Sequence, residues 1–509
     1  NVIQANATAD IPRFFSQFSY FKNITEKLGK RKKEMDSLNT SYTQAWEKKR
    51  YAYKQYKFKN KLTAMQSAAF FLTSFKQLDV TYSENNGTVL PGLLSAPNYY
   101  GVGQTLGGPT IGFLLGSQAD IRRTAIENGW VSTSNLMNDP YVRMSTRDLR
   151  ANLQMMPLND LRIDFNVIQT YNRNFSQTGF NYRDGFGNAN PNLTFASDMI
   201  TYSNSVNTIK TAFQDGSAVY ATIRQNARAL SQQLGGTPGA DGFAAGYSIA
   251  NAYVLIPAFR AAVEGKGPKE IGNARKAGLP FPNWRITWSG LKNIPVISGQ
   301  FTKFDILHSY NATYTATGVQ SSIDYFNNVG GLDVNADYIN PFTFSQVGYV
   351  ESFAPLVGID VTMRNNMQFG VQYNRNRMLL LGLVNHTLTE DSNTEYVVRL
   401  GYIVRNFRLG NANGGGNNKG ADLNIRGDIS LRDSRTSIMN ILLDDSQVTG
   451  GQRLMNIKLS ADYNVSQNLN LRVFYEQMTS KYKISTAFPL STVRAGISAT
   501  FTFGDAGGF

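Results

Sequence analysis

Several residue types that commonly build catalytic or metal sites are scarce in this sequence of 509 residues. It contains no cysteine and only two histidines, His308 and His386. A chain without cysteine forms neither disulfide bonds nor thiolate metal sites, and two histidines are too few for a histidine-rich zinc site. We therefore expect no metal and no other cofactor.

Long apolar runs are absent as well. No segment reaches the roughly 18–20 uncharged, apolar residues that a membrane-spanning helix requires. The nearest approach, residues 242–259, contains Asn251, Pro257 and many small residues, which indicates a buried or interfacial helix instead. Helical membrane spans are not predicted.

The sequence also lacks recognisable catalytic and nucleotide-binding motifs. The glycine-rich stretch 410–420 is not followed by the Lys-Ser/Thr pair of a phosphate-binding loop. His386 stands near Glu390 and Asp391, but an exposed polar loop accounts for this grouping better than a catalytic triad does, and His308 falls on an apolar alternation face. We predict that the chain is not an enzyme.

Aromatic residues and glycine are abundant, with 26 Tyr, 31 Phe and 45 Gly. Together with a slightly negative mean hydropathy, this mixture is typical of strands with one apolar and one polar face and with aromatic belts at two membrane interfaces. A soluble β-rich protein is the alternative. The first residue is not Met and residues 1–8 do not resemble a signal peptide, so we expect a processed protein or a fragment.

Basic residues concentrate in one stretch near the start of the sequence. Residues 22–61 hold 13 basic and 4 acidic side chains, a net charge of +9 out of +14 for the whole chain. Such a stretch can bind nucleic acid, lie on anionic lipid or lipopolysaccharide, or form a solvated helical face. No nucleic-acid-binding module accompanies it, so nucleic acid is not an expected partner. We predict a peripheral, helical, basic segment over residues 1–75.

Alternation of apolar and polar residues predicts strands in most of the remaining chain. It is clearest over residues 421–432, where apolar residues from Leu423 to Leu431 alternate with polar residues from Asp422 to Arg432. Repeated over many long strands, this pattern indicates an apolar outer wall and a polar lumen. The predicted fold is all-β, a transmembrane antiparallel β-barrel with helical insertions.

The pattern also divides the chain. Barrel strands and loops are predicted over residues 76–203, a helical insertion over 204–278 with helices near 206–234 and 246–264, and barrel strands over 279–509 up to a C-terminal closing strand that contains Phe503. A tight hairpin is predicted at Asn365-Asn366, because Asn tolerates positive φ. The longer connection 410–420 is expected on the extracellular side, where such barrels carry their longer loops.

Charged residues on the polar alternation faces are the candidates for the lumen lining, namely Arg426, Asp428, Arg432, Arg472 and Arg494. Such residues would give the lumen a hydrated wall of mixed charge. The simpler interpretation, that these residues only keep the inner face soluble, stays open.

Four segments carry a more specific signal: SENNGTVLPG (83–92), IGFLLGSQ (111–118), FPNWRITWSGL (281–291) and FAPLVGID (353–360). They are spread over most of the chain and are not general features of barrels. They resemble sequence blocks of the SprA family, also called Sov, which is the outer-membrane translocon of the type IX secretion system in Bacteroidetes.

The resemblance implies that the chain is the C-terminal part of a single-chain barrel of about 36 strands, with the missing strands supplied by an upstream segment of the same protein. It implies export of cargo proteins across the bacterial outer membrane, in secretion and gliding motility. It also implies two further partners, a small barrel of the PorV type at a lateral opening and a periplasmic plug protein.

Two alternatives remain at this stage. A self-contained outer-membrane uptake channel, similar to a TonB-dependent receptor, would close within these residues by pairing residue 78 with residue 503. A soluble or surface-anchored adhesin would instead bury the apolar strand faces in a core.

Overall fold

The chain forms one antiparallel β-sheet with two long helices packed against it. The computed structural model describes residues 2–23, 26, 30, 68, 71–94, 111–134, 136–158, 160–266, 279–407, 421–465, 469–484 and 488–502. Within these ranges a single sheet contains fifteen strands, which confirms the predicted antiparallel β fold. Closure into a barrel of about 36 strands stays a prediction. None of the helices described is both long and apolar enough to cross a membrane.

The strands are β1 Val2–Asp10, β2 Phe75–Val89, β3 Tyr141–Leu158, β4 Leu161–Gln177, β5 Ser197–Ser205, β6 Asn283–Trp288, β7 Phe301–Ser321, β8 Phe342–Thr343, β9 Gln346–Met363, β10 Met367–Gly382, β11 Thr387–Phe407, β12 Ala421–Asn440, β13 Asp445–Asn464, β14 Leu469–Tyr482 and β15 Leu490–Phe501. The helices are α1 Ile11–Ser16, α2 Ile111–Leu114, α3 Arg122–Glu127, α4 Gly216–Gly235, α5 Ala252–Glu264, α6 Pro295–Ser298 and α7 Ile323–Asn327, with a 3₁₀ turn at Gly290–Asn293.

Strands that are neighbours in the chain are also neighbours in most of the sheet. The order is β1-β2-β3-β4-β5-β7-β9-β10-β11-β12-β13-β14-β15, with β8 paired to the end of β7. β5 pairs with residues 169–176 of β4, and β6 pairs with residues 161–166 of the same strand. β5 and β6 are therefore two halves of one crossing, interrupted by residues 206–282.

The predicted hairpin at Asn365-Asn366 joins β9 to β10. Asn366 has a φ of +67°, a left-handed conformation that asparagine adopts more readily than most residues. His386 (φ +51°) and Asp444 (φ +55°) hold the same conformation in the β10–β11 and β12–β13 turns. These three residues let long strands reverse within a few residues.

Two helices lie in the region where a helical insertion was predicted. α4 begins at Gly216, later than the predicted 206, because residues 197–205 continue as β5 and the Asp215 carboxylate caps the helix by accepting from the Gly216 N–H. α5 is capped by Asn251, whose side chain accepts from Tyr253 N at 2.9 Å, and it ends at a left-handed glycine, Gly265.

Residues 2–10 differ from the helical segment that was predicted over 1–75. They form β1, the strand at one edge of the sheet, with Ile3, Ala5 and Ala7 opposite Glu84, Tyr82 and Val80 of β2. The run of small alanines gave only a weak apolar signal, which explains why the alternation was missed. Most of the basic stretch 22–61, the connection 410–420 and both Phe503 and Phe509 lie outside the described residues.

The main hydrophobic core lies between the two long helices and the sheet. Ile223 of α4 and Leu255 and Phe259 of α5 are fully buried with Tyr314 of β7 and Leu379 of β10. At about 1.5–3 kcal/mol for each fully buried large apolar side chain, these contacts dock the helices firmly on the strands.

A smaller core lies under α3, where Arg122 is enclosed by aromatic rings. Its guanidinium is 4.9 Å from the Phe175 ring centre and 5.8 Å from that of Tyr141, and it binds Asp120 at 2.5 Å. Burial opposes the charged form of Asp120, but the hydrogen bonds and charge of Arg122 outweigh it, so the pKa of Asp120 lies below its ordinary value.

Candidate functional site

The two faces of the sheet differ in chemistry, and the pairing register fixes which residues share a face. In β12, Ile429 lies opposite Val398 and Ile457, whereas the next residue along, Asp428, lies opposite Arg399 and Lys458. We call the face that carries Ile429 the band face and the one that carries Asp428 the polar face. Because successive side chains of a strand point to opposite faces, this assignment extends along every paired strand.

An apolar band crosses the band face of the sheet. It covers residues 396–404 of β11, 423–431 of β12, 455–463 of β13 and 493–501 of β15, with apolar or small residues at alternate positions. On β14 it consists of Leu471, Val473 and Tyr475, and the next residue on this face, Gln477, is polar and lies between Ile457 and Val493. On the same face of strands β2, β3, β4, β6 and β7, one row of the band consists of Leu78, Leu153, Phe165, Trp284 and Tyr310. Many of these side chains are exposed, among them Ile497 at 76% and Val473 at 51%.

The polar face carries a row of alternating charges, which we call the charge ladder. It consists of Arg399, Asp428, Lys458, Glu476 and Arg494, one from each of β11 to β15, each opposite the next. The Cβ atoms of such cross-strand neighbours lie about 4.5–5.5 Å apart, so opposite charges stabilise the pairing. At its end, Arg494 Nη1 is 3.8 Å from Glu476 Oε2.

A glycine precedes the ladder on β10. Gly370 lies opposite both Arg399 and Asp360. A Cβ atom at this position would stand 2.6 Å from Asp360 Oδ1, so the glycine leaves room for the carboxylate to share the row with the cation.

All five residues that the sequence assigned to the lumen lie on the polar face. Arg426, Asp428 and Arg432 alternate along β12, and Arg472 and Arg494 lie on β14 and β15. Three of them form ion pairs that the sequence did not predict. Besides Arg494 with Glu476, Arg432 Nη2 is 3.0 Å from an oxygen of Glu395, and Arg472 Nε is 3.6 Å from one of Asp462.

Sequence reasoning missed the other three members of the ladder, Arg399, Lys458 and Glu476. Alternation within one strand indicates the face of a residue but not its partner on the next strand. The partner depends on turn lengths and on bulges, such as the one between Thr436 and Ser437, so no signal in a single strand identifies the ladder.

The wall is interrupted where the chain leaves β5 and returns in β6. The backbone groups at this break are paired: Phe281 N donates to Ser205 O at 2.8 Å, and Asn283 Oδ1 accepts from Ala312 N at 2.8 Å. The break therefore adds no unpaired hydrogen-bonding group at these positions.

Residues 206–282 contain α4 and α5, which lie on the band face. Leu379 and Leu381 of β10, which belong to the helical core, alternate in step with Tyr373 and Val371 of the apolar band, and the pairing of β10 with β11 is unbroken between them. The helices thus cover the same face as the band. At β10 they lie beyond one of its edges, and at β6 and β7 the helical core includes Tyr310 and contacts Trp284 at the end of the row named above.

Buried charged side chains link the helices to the sheet. Arg377 of β10 and Glu351 of β9 are both about 97% buried and lie 3.7 Å apart. The hydroxyl of Thr208 donates to Glu351, Arg377 Nη1 donates to Gln214 O at 3.1 Å, and Tyr349 OH donates to Glu264 of α5 at 2.8 Å. These bonds link both strands to the insertion.

α4 also contacts the β12–β13 turn. Arg224 Nη1 is 2.9 Å from Asp444 Oδ1, and the Tyr220 hydroxyl lies 3.4 Å from the carbonyl oxygen of Asn440. Burial raises the pKa of Tyr220 above its ordinary value, so the hydroxyl stays protonated and able to donate.

The two histidines occupy structural positions. The His308 ring contacts Leu356 O at 2.6 Å, and the His386 ring contacts Ala250 O at 3.3 Å. Among the described residues, no group of three His, Asp or Glu side chains is arranged to hold a metal ion. The arrangement on the polar face suits contact with water and with mobile charged surfaces.

Comparison with known proteins does not identify a family for this chain. No family model matches the chain, and no curated protein is similar to it. Among solved structures, the ferric-catecholate import receptor Fiu from K12 E. coli aligns with a TM-score of 0.22 and 10% sequence identity, over 81% of this chain and 56% of the receptor chain. The chain therefore spans just over half of the receptor's length, and a score of this size does not assign a fold.

Proposed function

We propose that this chain is part of the wall of an outer-membrane β-barrel that conducts exported proteins. The apolar band lies in the hydrocarbon of the bilayer, and the polar face lines a water-filled lumen. The observation that carries the proposal is the apolar band itself, which crosses the sheet on the face opposite a row of charges.

The height of the band fits this placement. Residues 423–431 of β12 and 493–501 of β15 each span nine positions, and a tilted strand crosses the hydrocarbon core with about 9–11 residues. The helices α4 and α5 lie on the band face, outside the lumen, where non-strand backbone is tolerated only beyond the hydrocarbon. This position leaves the lumen side of the wall free for cargo.

The edges of the sheet favour a barrel larger than this chain alone. In the part of the chain that is described, β1 pairs only with β2 and β15 only with β14. A free edge in lipid would leave backbone groups unpaired, so we propose that strands of an upstream segment complete the wall. A self-contained uptake channel would require β15 to pair with β1 or β2 instead.

The connections suggest the orientation. Two residues separate β3 from β4 and three separate β9 from β10, whereas the long connections after β2, β4 and β7 leave from the other end of the sheet, towards which α4 and α5 lie. The connections after β1 and β11 are also long and leave from the short-turn end. Short turns of such barrels face the periplasm, so the helical end is extracellular. β11 ends and β12 begins at the short-turn end, which places the connection 410–420 on the periplasmic side in this proposal, not on the extracellular side as expected.

In the proposed mechanism no covalent bond is made or broken. The charge ladder offers cargo a hydrated surface of nearly balanced charge, so neither acidic nor basic proteins are held strongly. The resemblance to the SprA family supports the finer proposal of type IX secretion and gliding motility, with a PorV-type small barrel, a periplasmic plug protein and outer-membrane lipid or lipopolysaccharide as partners.

Site-specific crosslinking tests this function. A photoreactive amino acid is placed at Lys458 on the polar face or, as the matched control, at the adjacent Ile457 on the band face, in the native complex during export. We expect crosslinks to secreted proteins from Lys458 and to lipid from Ile457. Crosslinks to cargo from Ile457 alone, or from neither position, would contradict the proposal. Mass spectrometry of the co-purifying chains identifies the partners.

A further inference from the structure

Four cations surround Asp433 on the band face, just past the edge of the apolar band. Arg453 of β13 lies opposite Asp433, and Lys481 of β14 lies opposite Arg453. Arg435 and Lys483 lie one row further on, to either side. We call these four side chains together with Asp433 the cationic cluster.

The cluster carries an excess of positive charge. Both Arg453, at 3.3 Å, and Lys483 share the single carboxylate of Asp433. Arg435 reaches Asp215 only at 3.9 Å. Asp433 and Asp215 thus lie beside four cations, and the buried carboxylate of Glu390 also interacts with the charge of Arg435. At least one positive charge is left in excess, and the Arg453 side chain is 64% exposed.

Two other cations on the band face are each balanced by a carboxylate. Arg147 pairs with Glu84 at 3.2 Å, and Arg173 pairs with Asp198 at 2.6 Å. One carboxylate serves one guanidinium in each pair. The cationic cluster differs from these two pairs in that Arg453 and Lys483 share one carboxylate.

A glycine lies at the centre of the cluster. Arg435 lies opposite Gly451, and Lys483 N donates to Gly451 O at 2.9 Å on the other side. Gly451 has a φ of +147°, and a Cβ there would stand 2.6 Å from Ser434 O and 3.1 Å from Lys483 Cδ, so no other residue fits without strain. Two cations thus lie on either side of one residue, and guanidinium and ammonium groups donate charge-assisted hydrogen bonds to phosphate oxygens.

The row of the band next to the cluster is apolar. On β11 to β13 it consists of Tyr396, Leu431 and Met455 in register, and on β14 it ends at the polar Thr479. Tyr396 is 54% exposed. A ligand that fits both features has acyl chains for this row and a phosphate for the cations. Basic residues just outside the hydrocarbon attract anionic headgroups in this way.

We propose that the cationic cluster binds the phosphorylated headgroup of a membrane lipid, in the leaflet at the helical end of the sheet. This inference rests on the proposed placement of the apolar band in the bilayer. The bound lipid seals the wall at the point where β12 to β14 emerge from the hydrocarbon.

Lipid A is the probe, added to the native complex in phosphatidylcholine nanodiscs, and bound lipid A is counted by native mass spectrometry. The double variant Arg453→Gln with Lys481→Gln should bind lipid A about 25-fold more weakly, at about fivefold per cation near a membrane surface. Dephosphorylated lipid A should bind the unaltered complex as weakly as the variant binds lipid A. Lys481→Arg, which keeps the charge, should retain binding and shows that the site itself still folds.

Two controls distinguish a specific lipid site from a general effect of charge and from a site for free anions. Arg432→Gln with Lys458→Gln makes the same change in net charge on the polar face and should leave binding unchanged; equal weakening would overturn the proposal in favour of a general charge effect. Inorganic phosphate should not displace lipid A at equal concentration, and displacement would show a site for free anions.

The placement of the band is tested separately, by quenching of a fluorophore at position 429 with nitroxide-labelled lipid. Quenching together with unchanged lipid A binding in the double variant overturns this inference alone. Absence of quenching overturns the proposed placement and the lipid site with it.

Discussion

The buried ion pair between Arg377 and Glu351 determines how firmly the helical insertion is held to the wall. Replacing Arg377 with Met removes the cation but keeps most of the side-chain volume. Glu351 would then keep the hydroxyl of Thr208 as a hydrogen-bond donor while it stays about 97% buried. The backbone carbonyl of Gln214, which accepts from Arg377 at 3.1 Å, would lose its donor.

Removal of one partner from a buried pair costs about 3–5 kcal/mol, because an uncompensated charge stays in the interior. Replacement of both partners by apolar residues of similar volume is often nearly neutral. We therefore expect Arg377→Met to favour release of the insertion by about 3–5 kcal/mol, and Arg377→Met with Glu351→Leu to recover most of that loss.

Limited proteolysis measures this release, because trypsin cleaves after Arg224 and Arg228 of α4 only when the helix opens. Under conditions in which opening is fast relative to cleavage, the rate follows the open population. At about 1.4 kcal/mol for each factor of ten, Arg377→Met should raise the rate between about a hundredfold and about four-thousandfold. A rise below about fivefold, or a double variant as labile as the single one, would refute the reasoning.

Three further outcomes are expected. Ile429→Arg places a charge in the middle of the apolar band and should lower the free energy of unfolding in lipid by about 2–4 kcal/mol. Asp428→Asn on the polar face should lower it by less than about 1 kcal/mol. Similar losses at both positions would contradict the assignment of faces. Asn366→Ala should cost about 1 kcal/mol because of its left-handed φ, whereas Asn366→Gly should cost less, and the reverse order in urea titrations would contradict this. Because the pKa of Asp120 is lowered in the folded chain, its contribution to the free energy of unfolding is present above the ordinary value of 3.8 and is lost as pH falls through the folded pKa. The rate of amide hydrogen exchange in α3 should therefore rise below the folded pKa in the unaltered chain, and should rise less in Asp120→Asn.

Much of the strand architecture was predictable, because side chains alternate strictly between the two faces of a strand. That rule assigned Leu423 and Arg426 of β12 to opposite faces, and the structure agrees. It failed for β1, where Ala5, Ala7 and Ala9 present too little apolar area to mark a buried or lipid-facing side.

The position of the helices was not predictable from the sequence. The amphipathic pattern of residues 204–278 indicated helices but left open whether they lie in the lumen or beyond the bilayer. The structure shows which face of the sheet they cover, because Leu379 in the helical core and Val371 in the apolar band share one face of β10 through an unbroken register. Long-range pairing of this kind, like the charge ladder, arises from contacts between strands and has no trace within either strand alone.

The central claim is that the band face contacts lipid and the polar face contacts water. The sequence contains no cysteine, so a single environment-sensitive fluorophore can be attached at Ile429→Cys or at the adjacent Asp428→Cys in the native complex. The account predicts that the probe at 429 is quenched by nitroxide-labelled lipid and protected from aqueous iodide, and that the probe at 428 behaves in the opposite way. The reverse pattern, or iodide quenching at both positions, would contradict it.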